Sequence, residues 1–292
     1  MKVIQWFPGH MAKAVRMMEE NVKLCDAVLF VLDARCPAAS FNARLLSLTG
    51  AKPVLFVLNK ADLADARKSD SFIARMRAGG RKVIPLAANL PSSMRTLRPA
   101  MEDLVREKAE RLKAKGNSKP LRIMVAGIPN TGKSTVINGL SGAKRAITGD
   151  KAGVTRGKQW VKCGGFDLLD TPGTMPPSCE NQVLARRLAY VGSINDDILE
   201  MDEIALALLE EMENAYPMSL KERYGIEPGL TPLEMLESVC KKRGFMLRGG
   251  EYDFERGERA LIDDLRKGKL GRITFDSEEE LKEVGLIVEP NG

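Results

Sequence analysis

The stretch Gly127-Ile128-Pro129-Asn130-Thr131-Gly132-Lys133-Ser134 satisfies the spacing G-x-x-x-x-G-K-[ST]. It follows the apolar run LRIMVA and precedes a helical pattern. Glycines at the two fixed positions let backbone N–H groups close around phosphate oxygens, and a helix N-terminus adds its positive dipole end. Lys133 is placed to reach the β and γ phosphates and Ser134 to ligate Mg2+, with Asn130, Thr131, Gly132 and Thr135 completing the cradle. The competing reading is a glycine-rich turn without a ligand, which the strand-then-helix context disfavours.

Outward from this loop, six short apolar segments alternate with helical patterns: DAVLFVLDA, PVLFVLNKAD, KVIPLAAN, LRIMVAGIPN, KQWVKCG and FDLLDTPG. Such alternation predicts an α/β fold with a mostly parallel sheet covered by helices on both faces. Amphipathic stretches are expected at 12–24, 41–48 and 68–77. A longer charged helix is expected over 94–115, stopping at Gly116-Asn117-Ser118-Lys119-Pro120. Past about residue 176 the strand signal ends. Helices are expected at 182–190, 198–216, 254–266 and 277–284, and Thr231-Pro232-Leu233-Glu234 is a capping box opening another, to about 242. The chain thus divides into a P-loop α/β domain, 1–176, and a small all-helical domain, 177–292.

The apolar fraction of 44% suits a globular chain, and its longest apolar runs are far too short for a membrane span. Five scattered cysteines form no C-x-x-C pair, and the first residues, MKVIQWFPGH, lack a secretory apolar region. A cytoplasmic location without disulfides or zinc is expected. The net charge of +6 conceals a division: residues 1–175 hold 30 Lys+Arg against 14 Asp+Glu, and residues 176–292 hold 15 against 25. A basic N-terminal part suits a polyanion such as RNA; a generic solubilising surface is the alternative.

Two further motifs bear on the nucleotide. Asn59-Lys60-Ala61-Asp62 follows the strand PVLFVL. A carboxylate at Asp62 accepts two hydrogen bonds from guanine N1–H and its 2-amino group, whereas adenine would leave it unpaired. Asn59 would bond near N7 and tie loops together, and the Lys60 stem would cover the ring. Without the phosphate cradle, this would be a polar strand-to-helix turn. Ala88, Asn89 and Leu90, after the next strand, are counted with the nucleotide-binding residues. Asp170, at the tip of FDLLD, is suited to hold Mg2+ through water, and the Gly173 amide to sense the γ phosphate. Thr155, in GVTR, is placed to close over Mg2+, or is an ordinary loop threonine.

The order of these motifs is permuted, with the base reader at 59, the cradle at 127 and the switches at 155 and 170. WFPGHMAKA, GIPNTGKST and DTPG together resemble the circularly permuted GTPases of ribosome biogenesis, over almost the whole chain. The resemblance implies a circularly permuted G domain that hydrolyses GTP during maturation of the large ribosomal subunit. It places the protein in the bacterial cytoplasm or an organellar matrix, as a monomer off the ribosome. It also implies a helical domain contacting ribosomal RNA. Two alternatives stay open: a GTP-gated RNA-binding placeholder with negligible catalysis, and a GTPase acting on another RNA such as tRNA.

In the unpermuted order a helix lies between the second switch and the next strand, and here 11–24 takes its place. That carries His10, the only histidine, toward the γ phosphate. Thr174 and Met175, which follow Gly173, are poor water-orienting groups, and similar members use the N-terminal histidine catalytically. His10 is therefore expected to position the attacking water; capping the helix or packing beside Trp6 is the alternative. Related GTPases use an asparagine at the position of Asn130 to help bind K+, against a purely loop-shaping role. Lys241, Lys242, Arg243, Arg266, Lys267 and Lys269 fall at helix ends and are candidate RNA contacts, or solvated helix ends.

Overall fold

The computed structural model describes residues 3–6, 9–117, 119–142, 159–176 and 181–289, and for 9–13 the backbone alone. All six expected strands form: β1 (Ala27–Asp33), β2 (Val54–Asn59), β3 (Lys82–Pro85), β4 (Leu121–Ala126), β5 (Gln159–Cys163) and β6 (Phe166–Asp170). They make one sheet in the order β3-β2-β1-β4-β6-β5, parallel except for β5 against β6. β1 and β2 alternate strictly between two apolar layers. Leu29, Val31, Leu55 and Val57 face one, and Phe30, Leu32, Phe56 and Leu58 face the other. Burial on both faces explains why these strands are continuous apolar runs.

The helices around the sheet are α1 (Gly9–Val22), α2 (Pro37–Ser40), α3 (Ala43–Leu48), α4 (Ala66–Ala78), α5 (Pro91–Met94), α6 (Leu97–Leu104), α7 (Arg106–Ala114) and α8 (Lys133–Ser141). The single helix expected over 94–115 is broken. Pro99 has no N–H to donate to residue 95, so the helix restarts at Leu97, where Pro99 falls in the first turn and no donor is needed. A second break at Val105 (φ −111°, ψ 10°) turns that valine into the core while α7 beyond it buries no residue.

The C-terminal part holds α9 (Gln182–Tyr190), α10 (Met201–Ala215), α11 (Pro217–Tyr224), α12 (Pro232–Arg243), α13 (Phe254–Arg266) and α14 (Glu278–Glu283). Capping boxes at Thr231 and Ser277 fix the starts of α12 and α14. The helix expected over 198–216 begins later, because residues 196–198 form a 3-10 turn before it. α11 was not anticipated, although Pro217 at its start and left-handed Gly225 at its end are ordinary boundary signals. Leu184, Leu188, Tyr190, Leu208 and Phe275 join the same apolar cluster as Phe30 and Phe56. The helical part is packed on the sheet through a continuous core.

Glu258 of α13 is 8% exposed. Burial, reinforced by Asp202 and Glu255, pushes its carboxyl up to about 7. The folded chain therefore holds this proton more tightly than the unfolded chain, and stability falls as pH rises from the ordinary glutamate range through about 7. Glu258→Gln is expected to raise the melting temperature by a few degrees at pH 8, with the gain shrinking toward nothing at pH 5. A gain equal at both pH values in calorimetry would refute this assignment.

Candidate functional site

Strand order reverses between β1 and β4, and the crevice at the carboxyl ends of the strands at such a switch point is where open α/β sheets bind ligands. The phosphate loop leaves β4 there. Gly127 packs so closely that a Cβ would strike the Val31 carbonyl, and at Gly132 (φ 92°) one would strike the Asn59 amide. Lys133 is buried at the start of α8, with Nζ donating to the Ile128 carbonyl at 2.7 Å. Burial lowers its pKa to about 8, opposed by the attraction of Asp170.

The Ser134 hydroxyl donates to Asp170 Oδ2 at 3.1 Å. Asp170 is fully buried, its Oδ1 has no hydrogen-bond partner, and burial pushes its carboxyl up. One orphaned carboxylate oxygen beside a hydroxyl fits a hard cation that takes its remaining oxygens from water and phosphate, as Mg2+ does. Thr155, the other expected Mg2+ ligand, lies outside the described residues.

The segment expected to read the base converges on this loop. Asn59 Nδ2 donates to the Thr131 carbonyl at 2.8 Å, across 72 residues of sequence, and Asn59 Oδ1 accepts from the Ala88 amide at 3.1 Å. Lys60, at φ 61°, donates from Nζ to the Asn130 carbonyl at 2.7 Å. Asp62 Oδ2 accepts from Asn89 Nδ2 at 3.1 Å, while its Oδ1 is buried without a partner. Leu90 follows in the same loop, its amide bonded to the Ala87 carbonyl. The expected cradle and base reader are thus brought together.

Sequence reasoning missed Asp33 and Arg35. Asp33 ends β1 opposite Asn59 and accepts from Arg35 Nε at 2.9 Å, Arg35 Nη2 at 2.8 Å and Lys60 Nζ at 2.8 Å. Burial alone would raise its carboxyl, but Arg35 and Lys60 hold it well below the usual range. Its signal was available, since like Asp170 it is an acid at the end of an apolar strand.

Gly173 lies against the phosphate loop, where a Cβ would stand 2.5 Å from Pro129 N and 2.6 Å from its Cα. Thr174 and Met175 are buried, with the Thr174 hydroxyl 3.8 Å from Met18 of α1. Trp6 Nε1 donates to the Pro176 carbonyl at 2.6 Å. The N-terminal segment thus packs on the strand-to-switch connection. His10 falls in the first turn of α1, but its side chain lies outside the described residues.

Asn130 (φ 59°) donates from Nδ2 to the Gly192 carbonyl at 2.6 Å, joining the phosphate loop to the end of α9. Of the basic candidates, Lys241 and Lys242 are exposed. Arg243 and Lys269 pair with Asp264, and Lys267 with Asp263. Arg266 is turned inward: it grips Asp196 at 2.7 Å and the Ala189 and Tyr190 carbonyls, as a clamp on α9.

The family described as 50S ribosome-binding GTPase matches residues 122–221. The chain is 42% identical to Ribosome biogenesis GTPase A of Bacillus cereus, covering 96% of each chain. It is 38% identical to Ribosome biogenesis GTPase A of Priestia megaterium, covering 96% of this chain and 99% of that one. Among solved structures, GNP-bound YlqF from T. maritima aligns with a TM-score of 0.61 at 28% identity, covering 90% of this chain and 97% of that one.

The close approach of Gly173 to Pro129 leaves no room for a side chain, so Gly173→Ala must push the 173 amide away from the phosphate loop. Affinity for a non-hydrolysable GTP analogue is expected to fall by roughly tenfold relative to GDP, the loss of about one hydrogen bond to a charged group. Titration of both nucleotides checks it; an unaltered ratio would separate Gly173 from γ-phosphate sensing.

Proposed function

The chain belongs to the ribosome biogenesis GTPase A family, and from that premise we propose that its nucleotide state governs binding to and release from precursors of the large ribosomal subunit. It is a GTPase with a circularly permuted G domain. The observation that carries the nucleotide assignment is the buried, unpartnered Oδ1 of Asp62, in a loop tied to the phosphate loop through Asn59 and Lys60. Guanine N1–H and its 2-amino group supply the donors this carboxylate needs. Adenine would leave it unsatisfied, a mismatch able to discriminate by roughly 10³-fold or more.

Residues 130–135 cradle the phosphates, Lys133 balances their charge, and the Gly173 amide reports the γ phosphate. Ser134 and Asp170 would hold Mg2+, with Thr155, and the ion supplies charge neutralisation on the phosphates. His10 orients the attacking water, with proton abstraction optional because the phosphate itself can accept the proton. The packing of Trp6 and Met18 against residues 174–176 supports a place for α1 beside the second switch. The Asn130 amide is engaged with Gly192, which favours its loop-shaping role; a role in K+ binding would require exchanging that bond.

The division at 176–177 separates a catalytic from an RNA-contacting part. Lys241 and Lys242 are the foremost RNA contacts, with Arg243, Lys267 and Lys269 beside them and Arg266 acting as the clamp that holds the surface in shape. No helix among the described residues is long and apolar enough to cross a membrane. Family membership supports work in the cytoplasm or an organellar matrix, and the chain would act as a monomer off the ribosome.

Co-sedimentation with immature large subunits should occur with a GTP analogue, weaken with GDP and fall steeply with salt. Equal association in both nucleotide states would refute the coupling. Asp62→Asn presents a donor where guanine also presents one, but xanthine offers a carbonyl there. Preference should therefore move from GTP toward XTP by on the order of 10²-fold. His10→Ala is expected to lower single-turnover hydrolysis on the order of 10²-fold with nucleotide affinity intact, and an unchanged rate would remove His10 from the reaction.

A further inference from the structure

Residues 272–276, between α13 and α14, run across the two loops behind the base reader. Arg272 donates to the Ala61 carbonyl from Nη2 and to the Ala64 carbonyl from Nε, each at 3.0 Å, so it holds the backbone on both sides of Asp62. The Ile273 amide donates to the Leu63 carbonyl at 3.0 Å, between those two points. The Thr274 hydroxyl then joins the loops to each other: it accepts from the Asp65 amide at 3.0 Å and donates to the Ala34 carbonyl at 3.3 Å. The Phe275 amide donates to the Arg35 carbonyl at 2.8 Å, and Asp276 Oδ2 accepts from the Ala38 and Ala39 amides at 2.6 and 3.2 Å.

Residues 273–276 are all buried. The loop they hold on one side carries Asp62, and the loop on the other carries Arg35 and follows Asp33, the counter-ion of Lys60. The helical part also grips the same segment. Tyr216, at the end of α10, donates to the Thr274 carbonyl at 2.9 Å and accepts its amide at 3.1 Å, and Arg187 of α9 donates to Asp276 Oδ1 at 3.0 Å.

We propose that residues 272–276 are the positioning element of the guanine reader, with Thr274 as the positioning residue, so that base recognition and the seating of the helical part are one equilibrium. The inference rests on the assignment of Asp62 to guanine. Linkage makes the coupling reciprocal: guanine nucleotide tightens the segment onto the two loops, and a partner that pulls on the helical part loosens the base.

The test compares GDP with IDP, which lacks the 2-amino donor, on the full chain. Thr274→Val keeps the shape and removes both hydroxyl bonds. It is expected to weaken GDP by about tenfold and IDP by less, shrinking the GDP to IDP preference. Thr274→Ser, which restores the hydroxyl, should return both to the parent values. An undiminished preference in folded Thr274→Val overturns the proposal.

Should that variant not fold, Arg272→Ala, at an exposed side chain, must shrink the same preference, and failure to do so is equally decisive. Independently, GDP should slow hydrogen exchange at the Ile273 and Phe275 amides; unchanged exchange refutes the coupling. Failure of the underlying assignment looks different, because Asp62→Asn would then leave the GDP to XDP preference where it was. A switch in Asp62→Asn together with an unmoved Thr274→Val ratio sinks only the positioning role.

Discussion

The site depends on one half-buried ammonium. Lys60 Nζ sits 2.8 Å from Asp33 and 2.7 Å from the Asn130 carbonyl, so a single side chain spans the tip of β1, the base-reading loop and the phosphate loop. Burial lowers the pKa of Lys60, and the Asp33 carboxylate opposes that shift. Asp33 gains from two cations at once, which is why its carboxyl stays ionised at zero exposure. Removing Asp33 would leave the fully buried Arg35 guanidinium without its counter-ion, a loss of roughly 3–5 kcal/mol. Such a cluster contributes more to geometry than to stability. It specifies one relative placement of three loops that come from distant parts of the chain.

The same logic explains the polarity of the neighbouring pair. Lys133 and Asp170 are both buried beyond what their mutual attraction compensates: one pKa is lowered and the other carboxyl raised. Anionic phosphate relieves the first and a hard cation the second. On the function proposed above, a metal-bound polyphosphate would therefore suit these residues better than either ion alone, because it would cancel two opposite penalties together.

How much of this was legible in the sequence follows the range of the interactions. The phosphate cradle, base reader and six strands are each encoded within a few consecutive residues, and they appear where the pattern placed them. Asp33 carries a local signal as an acid at the end of an apolar strand, but its pairing does not, because its partner Lys60 lies just beyond the end of β2 and no local pattern links the two. Residues 272–276 escaped for a stronger reason. Their side chains bond largely to the backbone of distant residues, as between Thr274 and Ala34 across 240 residues, and a partner that contributes only its backbone is not marked by its residue type. At Arg266 charge counting registers a guanidinium but not its direction. That side chain, 26% exposed, is engaged by the end of α9 and by Asp196. The helix expected over 94–115 is interrupted ahead of Pro99 and at Val105, and its charge pattern carries no trace of either break.

Cutting and rejoining a G domain would ordinarily free the second switch to trail into whatever follows it. Here residues 171–176 lead into α9, and α9 is anchored at several points. Its Arg187 bonds Glu211, Asp276 and Glu280, while beyond its end the Gly192 carbonyl accepts from Asn130 of the phosphate loop. Asp276 then leads through residues 272–276 back to the loop of Asp62. The connections form a closed ring, from phosphate loop to α9 to the C-terminal segment to the base reader, and Lys60 and Asn59 close it on the phosphate loop. A ring constrains displacement more tightly than a covalent lever alone. A shift of α9 must be absorbed at Asn130 and at residues 272–276 together, so on the proposed function the helical part would be coupled to both ends of the nucleotide at once.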